Sequence, residues 1–153
     1  MKGYYFEELE EGLVVDHPLR RTVTEMDNTM FSCLTHNPQP LHIDRHYCET
    51  ETEFGQPLMN SLFTLGLMIG ISVNDTTLGT TIANLGMTDV KFPHPLFQGD
   101  TVHIRTTVLG KRESKSRPAA GIVTFRHEAF NQDDKLVAEC TRQAFMHKRP
   151  VQS

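Results

Sequence analysis

The spacing of the apolar positions divides the chain into a helical first part and a strand-rich second part. In the first part, apolar residues recur at helical intervals in three segments, residues 25–36, 45–52 and 58–73. Residues that commonly cap helices precede the first two segments, Thr24 and Asp44. The third segment follows a proline and is expected to end at the polar pair of residues 74 and 75. Three helices are therefore predicted, and the last is the longest and most apolar.

The second part is rich in Val, Thr, Ile and Phe, which favour strands. Strands are predicted over residues 81–85, 87–92, 101–109, 121–131 and 135–146, with a hairpin turn at 131–134 and a shorter β-prone stretch earlier, at 13–23. One long apolar helix followed by successive antiparallel strands predicts an α+β fold in which the sheet wraps around that helix. Such a sheet leaves edges and apolar rims, so we also expect dimerisation.

Length, composition and charge narrow the class of protein. The 153 residues, of which 38% are hydrophobic and 22% charged, are expected to form one globular domain over 1–153. The net charge of −4 argues against binding to nucleic acid or to an anionic membrane. The start of the chain is polar, aromatic and acidic, and no apolar run approaches the roughly 18 residues that a bilayer span needs. A cytoplasmic location is therefore expected.

Neither the cysteines nor the histidines show the spacing of metal ligands. The three cysteines lack a C-x-x-C pattern and lie in apolar surroundings, at Cys33, Cys48 and Cys140. Buried, reduced thiols are expected rather than disulfides or zinc ligands. No metal site is predicted.

Residues 34–44, Leu-Thr-His-Asn-Pro-Gln-Pro-Leu-His-Ile-Asp, concentrate polar and titratable side chains around two prolines. Each proline fixes its own φ and disfavours the helical region for the residue before it, so Asn37 and Gln39 are predicted to be extended. A rigid loop of this kind can present His42 to a pocket. A connector between helices that carries a solvated histidine is the alternative interpretation of the same residues.

Three segments of the chain carry a resemblance to a known family. They are Pro-Leu-His-Ile-Asp at 40–44, Phe-Gly-Gln-Pro at 54–57 followed by Ser-Leu-Phe-Thr at 61–64, and the stretch at 91–101. In this order they resemble the MaoC-like (R)-specific enoyl-CoA hydratases. The resemblance implies a hot-dog fold and an acyl-CoA substrate, with no cofactor other than the coenzyme A of that substrate. It also implies a homodimer or higher homo-oligomer with the site at the dimer interface.

The departures from the family pattern concern the reacting groups. The family's catalytic aspartate falls on Asn37, its glycine on His36 and its motif asparagine on Gln39. His42 is then the titratable member of the usual pair that remains. The resemblance implies that His42 transfers protons, while the amide of Asn37 holds the water or orients the imidazole.

Substrate binding is expected at the start of the most apolar helix. Backbone N–H groups near Asn60, Ser61 and Leu62 could face the thioester oxygen with help from the helix dipole, although these residues also suit an ordinary helix start. Three further candidates for substrate contact are Gln39, His36 and His94. His36 also suits the C-terminal end of a helix, and His94 also suits a surface turn.

The densest positive charge of the chain lies at residues 111–118, which join two predicted strands. Lys115 and Arg117 are candidates for contact with the phosphates of coenzyme A. A solvated hairpin is the alternative for this segment.

The expected function is a hydratase or dehydratase that adds or removes water across the α,β double bond of a short acyl-CoA. The resemblance extends to the branch that handles branched C4-dicarboxylic acyl-CoAs of the mesaconyl-CoA or itaconyl-CoA type. Asn37 leaves a second class open, a non-catalytic hot-dog protein that binds acyl-CoA. An acyl-CoA thioesterase is a third possibility.

Overall fold

Four α-helices, a short 3₁₀ helix at Phe6–Glu8 and six strands make up the fold in a computed structural model that describes residues 3–150. The helices are α1 (Glu25–Leu34), α2 (Pro40–Ile43), α3 (Arg45–Glu51) and α4 (Ser61–Thr76). The strands are β1 (Val14–Asp16), β2 (Arg21–Thr22), β3 (Thr81–Lys91), β4 (Thr101–Glu113), β5 (Ala120–Phe130) and β6 (Leu136–His147). Within the same residues, no helix combines the length and apolar character that a membrane crossing needs.

The sheet wraps around α4, as predicted. Its strands follow the order β1-β4-β5-β6-β3, with β2 paired to β4, and the pairings are antiparallel. Buried residues alternate with more exposed ones along β4, β5 and β6, which places one face of each strand toward the helix. On that face, Ile104 and Ala138 belong to one core cluster with Met68 and Ile71 of α4. The α+β prediction is confirmed.

β3 forms the edge of the sheet next to β6. It is a single strand rather than the two predicted segments, because its pairing with β6 shifts register between Asn84 and Gly86 without ending. Leu85 and Val90 of this edge strand are exposed. The edge is therefore long, apolar in part and paired on one side within the protomer.

Local capping explains where the helices begin. The Thr24 hydroxyl accepts from the backbone N–H of Asp27, and the Asp44 carboxylate accepts from that of Tyr47. α1 and α3 therefore begin where the sequence predicts. α4 begins later than predicted, at Ser61, because residues 58 and 59 are extended and bond to residues 96 and 97. It also continues through the polar pair at 74 and 75 and ends at Thr76.

The prediction that residues 34–44 form an extended loop is wrong for residues 40–43, which form the single turn α2. Proline suits the first position of a helix, where its missing N–H leaves no bond unmade. Gln39, just before it, is extended with φ −62° and ψ 116°, as predicted. His36 ends the preceding helical segment with a positive φ of 53°.

α1 turns its apolar stripe outward. Met26, Met30 and Leu34 are 66%, 54% and 75% exposed, while the buried residues of this helix are Asn28 and Ser32. The helix was predicted correctly, but the helical spacing of the apolar residues does not mark its buried face.

The cysteine prediction is wrong for one of the three residues. Cys33 is exposed because it lies on the outward side of α1, whereas Cys48 and Cys140 are buried. All three are free thiols.

Candidate active site

His42 is buried on α2, and its ring has a defined tautomer. Its Nδ1 lies 2.8 Å from the carbonyl oxygen of Leu58. Because a carbonyl can only accept, we assign the ring proton to Nδ1, which leaves a lone pair on Nε2. The backbone of Leu58 is itself fixed, since its N–H donates to the Leu41 carbonyl at 3.1 Å. In the neutral ring, Nε2 is thus the nitrogen that can accept a proton.

A hydrogen-bonded asparagine lies directly behind this histidine. The side-chain N–H groups of Asn28 donate to the carbonyls of His42 at 2.8 Å and Leu58 at 3.0 Å. Its side-chain oxygen accepts the backbone N–H of Asn60 at 2.8 Å. The sequence interpretation missed Asn28, although two polar residues one helical turn apart, Asn28 and Ser32, were a signal that α1 has a polar face.

Asn60 caps α4 and limits which backbone donors remain. Its side-chain oxygen accepts the N–H of Leu62 at 3.1 Å, and its own N–H is bound by Asn28. Of the three backbone donors that the sequence suggested here, only the N–H of Ser61 has no acceptor within residues 3–150. Ser61 is also at the positive end of the helix dipole.

A cavity of about 250 Å³ opens beside this helix start. Its wall includes two predicted site residues, Ser61 and His94, together with Leu58, whose carbonyl binds His42. The remaining wall is largely apolar and aromatic and consists of Phe54, Met59, Thr64, Phe92, Pro93, Pro95, Leu96 and Val137. Residues 92–95 of this wall are exposed, so the cavity is open to solvent on that side, while Leu96, Met59 and Thr64 are buried.

The other candidates from residues 34–44, which are His36, Asn37 and Gln39, lie at the surface of the protein. The side-chain oxygen of Asn37 accepts the N–H of Gln39 at 3.1 Å, which leaves the NH₂ of its half-buried amide available. Gln39 and His36 are exposed. His36 lies two residues after the C-terminal end of α1, and its N–H donates to the Cys33 carbonyl at 3.1 Å, close to the helix-end alternative for this residue.

Lys115 and Arg117 lie far from His42 within one protomer. They are exposed on the turn between β4 and β5, where Arg117 borders a hollow of about 260 Å³ with Ile82 and His147. β4 starts next to the cavity segment at 91–101 and runs for 13 residues before it reaches this turn. At about 3.3 Å per residue, the two ends of β4 are roughly 40 Å apart, so the turn lies far from the cavity of its own protomer.

The buried thiol of Cys48 is structural rather than nucleophilic. Cys48 lies under α2, and its Sγ donates to the Leu41 carbonyl at 3.3 Å. Burial raises the pKa of the Cys48 thiol, and the neighbouring carboxylates of Asp44 and Glu49 raise it further. The residues described, 3–150, contain no group of three or more His, Cys, Asp or Glu side chains that could hold a metal ion.

Proteins with assigned activities resemble this chain in sequence. A mesaconyl-CoA hydratase from Cereibacter sphaeroides is 29% identical over 153 residues, which cover 96% of this chain and 42% of that protein. The chain thus spans less than half the length of this relative. An (R)-specific enoyl-CoA hydratase from Rhodospirillum rubrum is 30% identical over 127 residues, which cover 80% of this chain and 78% of that protein.

A solved structure with a hot-dog fold also resembles this chain. A protein from Mycobacterium tuberculosis that is described as having a double hot-dog fold superposes with a TM-score of 0.88 at 26% identity. The match covers 99% of this chain and 46% of that protein, which indicates that the chain corresponds to one of its two hot-dog units. The family model of the MaoC like domain matches residues 8–129. Because this match covers well over half of the sequence, the chain belongs to the MaoC-like domain family.

Proposed function

We propose that this chain forms a hydratase or dehydratase that adds water to, or removes it from, the α,β double bond of a short acyl-CoA thioester. The observation that carries the proposal is the bond from His42 Nδ1–H to the Leu58 carbonyl at the wall of the cavity. It leaves Nε2 as the ring nitrogen that can act as a base, while the backbone N–H of Ser61, a residue of the same cavity wall as Leu58, has no acceptor within residues 3–150. Two relatives named as enoyl-CoA-type hydratases support the same chemistry.

The reaction needs one proton relay and one site for negative charge. His42 Nε2 takes a proton from water as the water oxygen bonds to the β-carbon, and the electrons of the double bond move toward the thioester carbonyl. The N–H of Ser61 donates to the thioester oxygen while it carries negative charge. The His42 imidazolium then returns a proton to the α-carbon, which restores the neutral histidine. Dehydration follows the same steps in reverse.

Asn37 takes part through its amide. It has no proton to exchange at neutral pH, so it holds the water or a polar group of the substrate by hydrogen bonds. A cavity of about 250 Å³ is smaller than the roughly 300–1,000 Å³ of pockets for drug-sized ligands, and this size suits a short acyl group. A substrate with its own carboxylate would meet no like charge at Asn37. We therefore favour a branched C4-dicarboxylic acyl-CoA of the mesaconyl-CoA or itaconyl-CoA type.

A second copy of the chain completes the site in this proposal. If two β3 strands pair antiparallel, the Thr81 end of one strand lies beside the Lys91 end of the other. The turn that carries Lys115 and Arg117 shares its hollow with Ile82, near the Thr81 end, whereas His94 follows the Lys91 end. The partner's turn would thus meet this protomer's cavity, where the two cations could bind the phosphates of coenzyme A.

Turnover of defined substrates tests the proposal and separates its alternatives. Purified protein is incubated with crotonyl-CoA, mesaconyl-CoA or itaconyl-CoA, and the enoyl thioester and free thiol are both measured. We expect reversible loss of the enoyl thioester without release of thiol. Release of coenzyme A would indicate a thioesterase. Binding of all three compounds without any reaction would indicate a non-catalytic acyl-CoA-binding protein.

A further inference from the structure

Asn28 connects three separate parts of the candidate site through one buried amide. It is fully buried on α1, and its partners are 14, 30 and 32 residues away in the sequence. Its NH₂ group uses both hydrogens, one for the carbonyl of His42 and one for that of Leu58. Its oxygen accepts the N–H of Asn60, which caps α4.

The orientation of this amide is determined by its partners. With the side chain rotated by 180°, the Asn28 oxygen would face two carbonyl oxygens and its NH₂ group would face the N–H of Asn60. All three contacts would then join groups of the same polarity, and each buried polar group would lose its bond. Asparagine therefore fits this position because it offers two donors and one acceptor in a side chain of this length.

The carbonyl of Leu58 is the point where Asn28 and His42 meet. It accepts from His42 Nδ1 at 2.8 Å and from Asn28 Nδ2 at 3.0 Å, so both of its lone pairs are in use. A carbonyl held from two sides has little freedom to turn away from the imidazole. The direction of this carbonyl decides which ring nitrogen of His42 carries the proton.

The buried face of α1 is polar. Met26, Met30 and Leu34 point outward, whereas Phe31 packs edge-on against Phe63 of α4. The buried residues of the helix are Asn28 and Ser32, whose hydroxyl accepts from the Asn60 side chain at 3.3 Å. Buried polar groups stabilise a fold only when they are fully bonded, and a helix packed by leucines would be simpler. The polar face instead joins the element with the base to the element with the oxyanion donor.

From this geometry we infer that Asn28 is a positioning residue for the proposed hydration reaction. It fixes the tautomer of His42 through the Leu58 carbonyl, and it fixes the start of α4 through the N–H of Asn60. It touches neither the substrate nor the reacting atoms. This inference rests on the proposed function for its kinetic consequence, but its effect on the imidazole does not depend on any activity.

The test compares Asn28→Leu, which keeps the size and removes all three bonds, with Asn131→Leu as a matched control. Asn131 is also buried, and its oxygen accepts the N–H groups of Asp133 and Lys135 at 3.0 Å, but it holds the turn between β5 and β6. Asn28→Ser, which retains one donor, serves in the same comparison if the leucine variant does not fold. The imidazole ¹⁵N resonances of His42 report its tautomer without substrate.

We expect a single Nδ1–H tautomer in the wild type and in Asn131→Leu, and a mixture of both tautomers in the Asn28 variants. In turnover assays, kcat should fall about 10-fold to 10²-fold in the Asn28 variants with little change in KM, because the base is displaced while binding contacts remain. An unchanged His42 tautomer in a folded Asn28 variant would overturn the inference, whatever the activity. A single tautomer in the wild type and a mixture in the Asn28 variants, found in a protein without hydratase activity, would leave the positioning role intact and refute only the proposed function.

Discussion

His127 should make the protein lose stability in mild acid. This residue is fully buried, and its Nδ1 lies 2.9 Å from the hydroxyl of Thr106, which also lies 2.9 Å from Nε2 of His17. Burial, followed by the charges of Arg142 and His17, lowers the pKa of His127 from 6.5 to about 3. The folded protein therefore binds fewer protons than the unfolded chain between these two values.

This difference in bound protons sets the sign and size of the change in unfolding free energy. The contribution of neutral His127 is complete above pH 6.5 and is lost as the pH falls toward 3, because protonation favours the unfolded chain. From pH 7 to pH 5, a change of pKa from 6.5 to about 3 corresponds to a loss of about 2 kcal/mol of unfolding free energy. His127→Asn should remove this part of the pH dependence, because an amide does not take up a proton in this range. Its NH₂ group can replace the bond between His127 Nδ1 and the Thr106 hydroxyl.

The assay is urea unfolding of both proteins at pH 7 and pH 5. Other groups titrate in this range in both proteins, so the informative quantity is the difference between their two pH dependences. We expect the wild type to lose about 2 kcal/mol more than His127→Asn on acidification. The exposed His46→Asn is the control and should behave like the wild type. Equal losses in wild type and His127→Asn would refute the reasoning.

Two further predictions concern the substrate. Asn37→Asp should lower kcat/KM for mesaconyl-CoA or itaconyl-CoA, because two carboxylates about 4 Å apart repel by roughly 4 kcal/mol at an effective dielectric near 20. Turnover of uncharged crotonyl-CoA should persist. Equal changes in kcat/KM for charged and uncharged substrates would contradict this prediction. Replacing Lys115 and Arg117 together by alanine should raise KM at low salt with little change in kcat. Mixed dimers of this variant with His42→Ala show which protomer the cations serve. If they act on the partner's cavity, the mixed dimer keeps one intact site, with His42 from one protomer and both cations from the other, and its KM is that of the wild type. A raised KM would place the cations in the site of their own protomer.

The parts of the fold that depend on neighbouring residues could be predicted from the sequence. Thr24 and Asp44 cap their helices with bonds to residues three positions later, and the strand segments are identified by their own composition. The start of α4 could not be predicted in this way. Residues 58 and 59 pair with residues 96 and 97, and this long-range pairing overrides the helical signal that follows Pro57.

In the candidate site, too, the sequence indicates individual residues, whereas their geometry depends on residues far away in the chain. The motif singled out His42, which is buried rather than solvated, but the tautomer of its ring depends on the carbonyl of Leu58, 16 residues away. Asn28 escaped detection because the apolar residues of α1 suggested the opposite buried face. The separation of Lys115 and Arg117 from His42 follows from the length of β4, which extends four residues beyond the predicted end.

The central claim is that His42 transfers the protons of a hydration reaction, and kcat of His42→Ala tests it most directly. His46→Ala, on the exposed surface of α3, is the matched control, and circular dichroism verifies that both variants are folded. We predict that kcat for the preferred enoyl-CoA falls by about 10²-fold or more in His42→Ala and stays near the wild-type value in His46→Ala. Near-wild-type turnover by a folded His42→Ala variant would contradict the proposed role of this histidine.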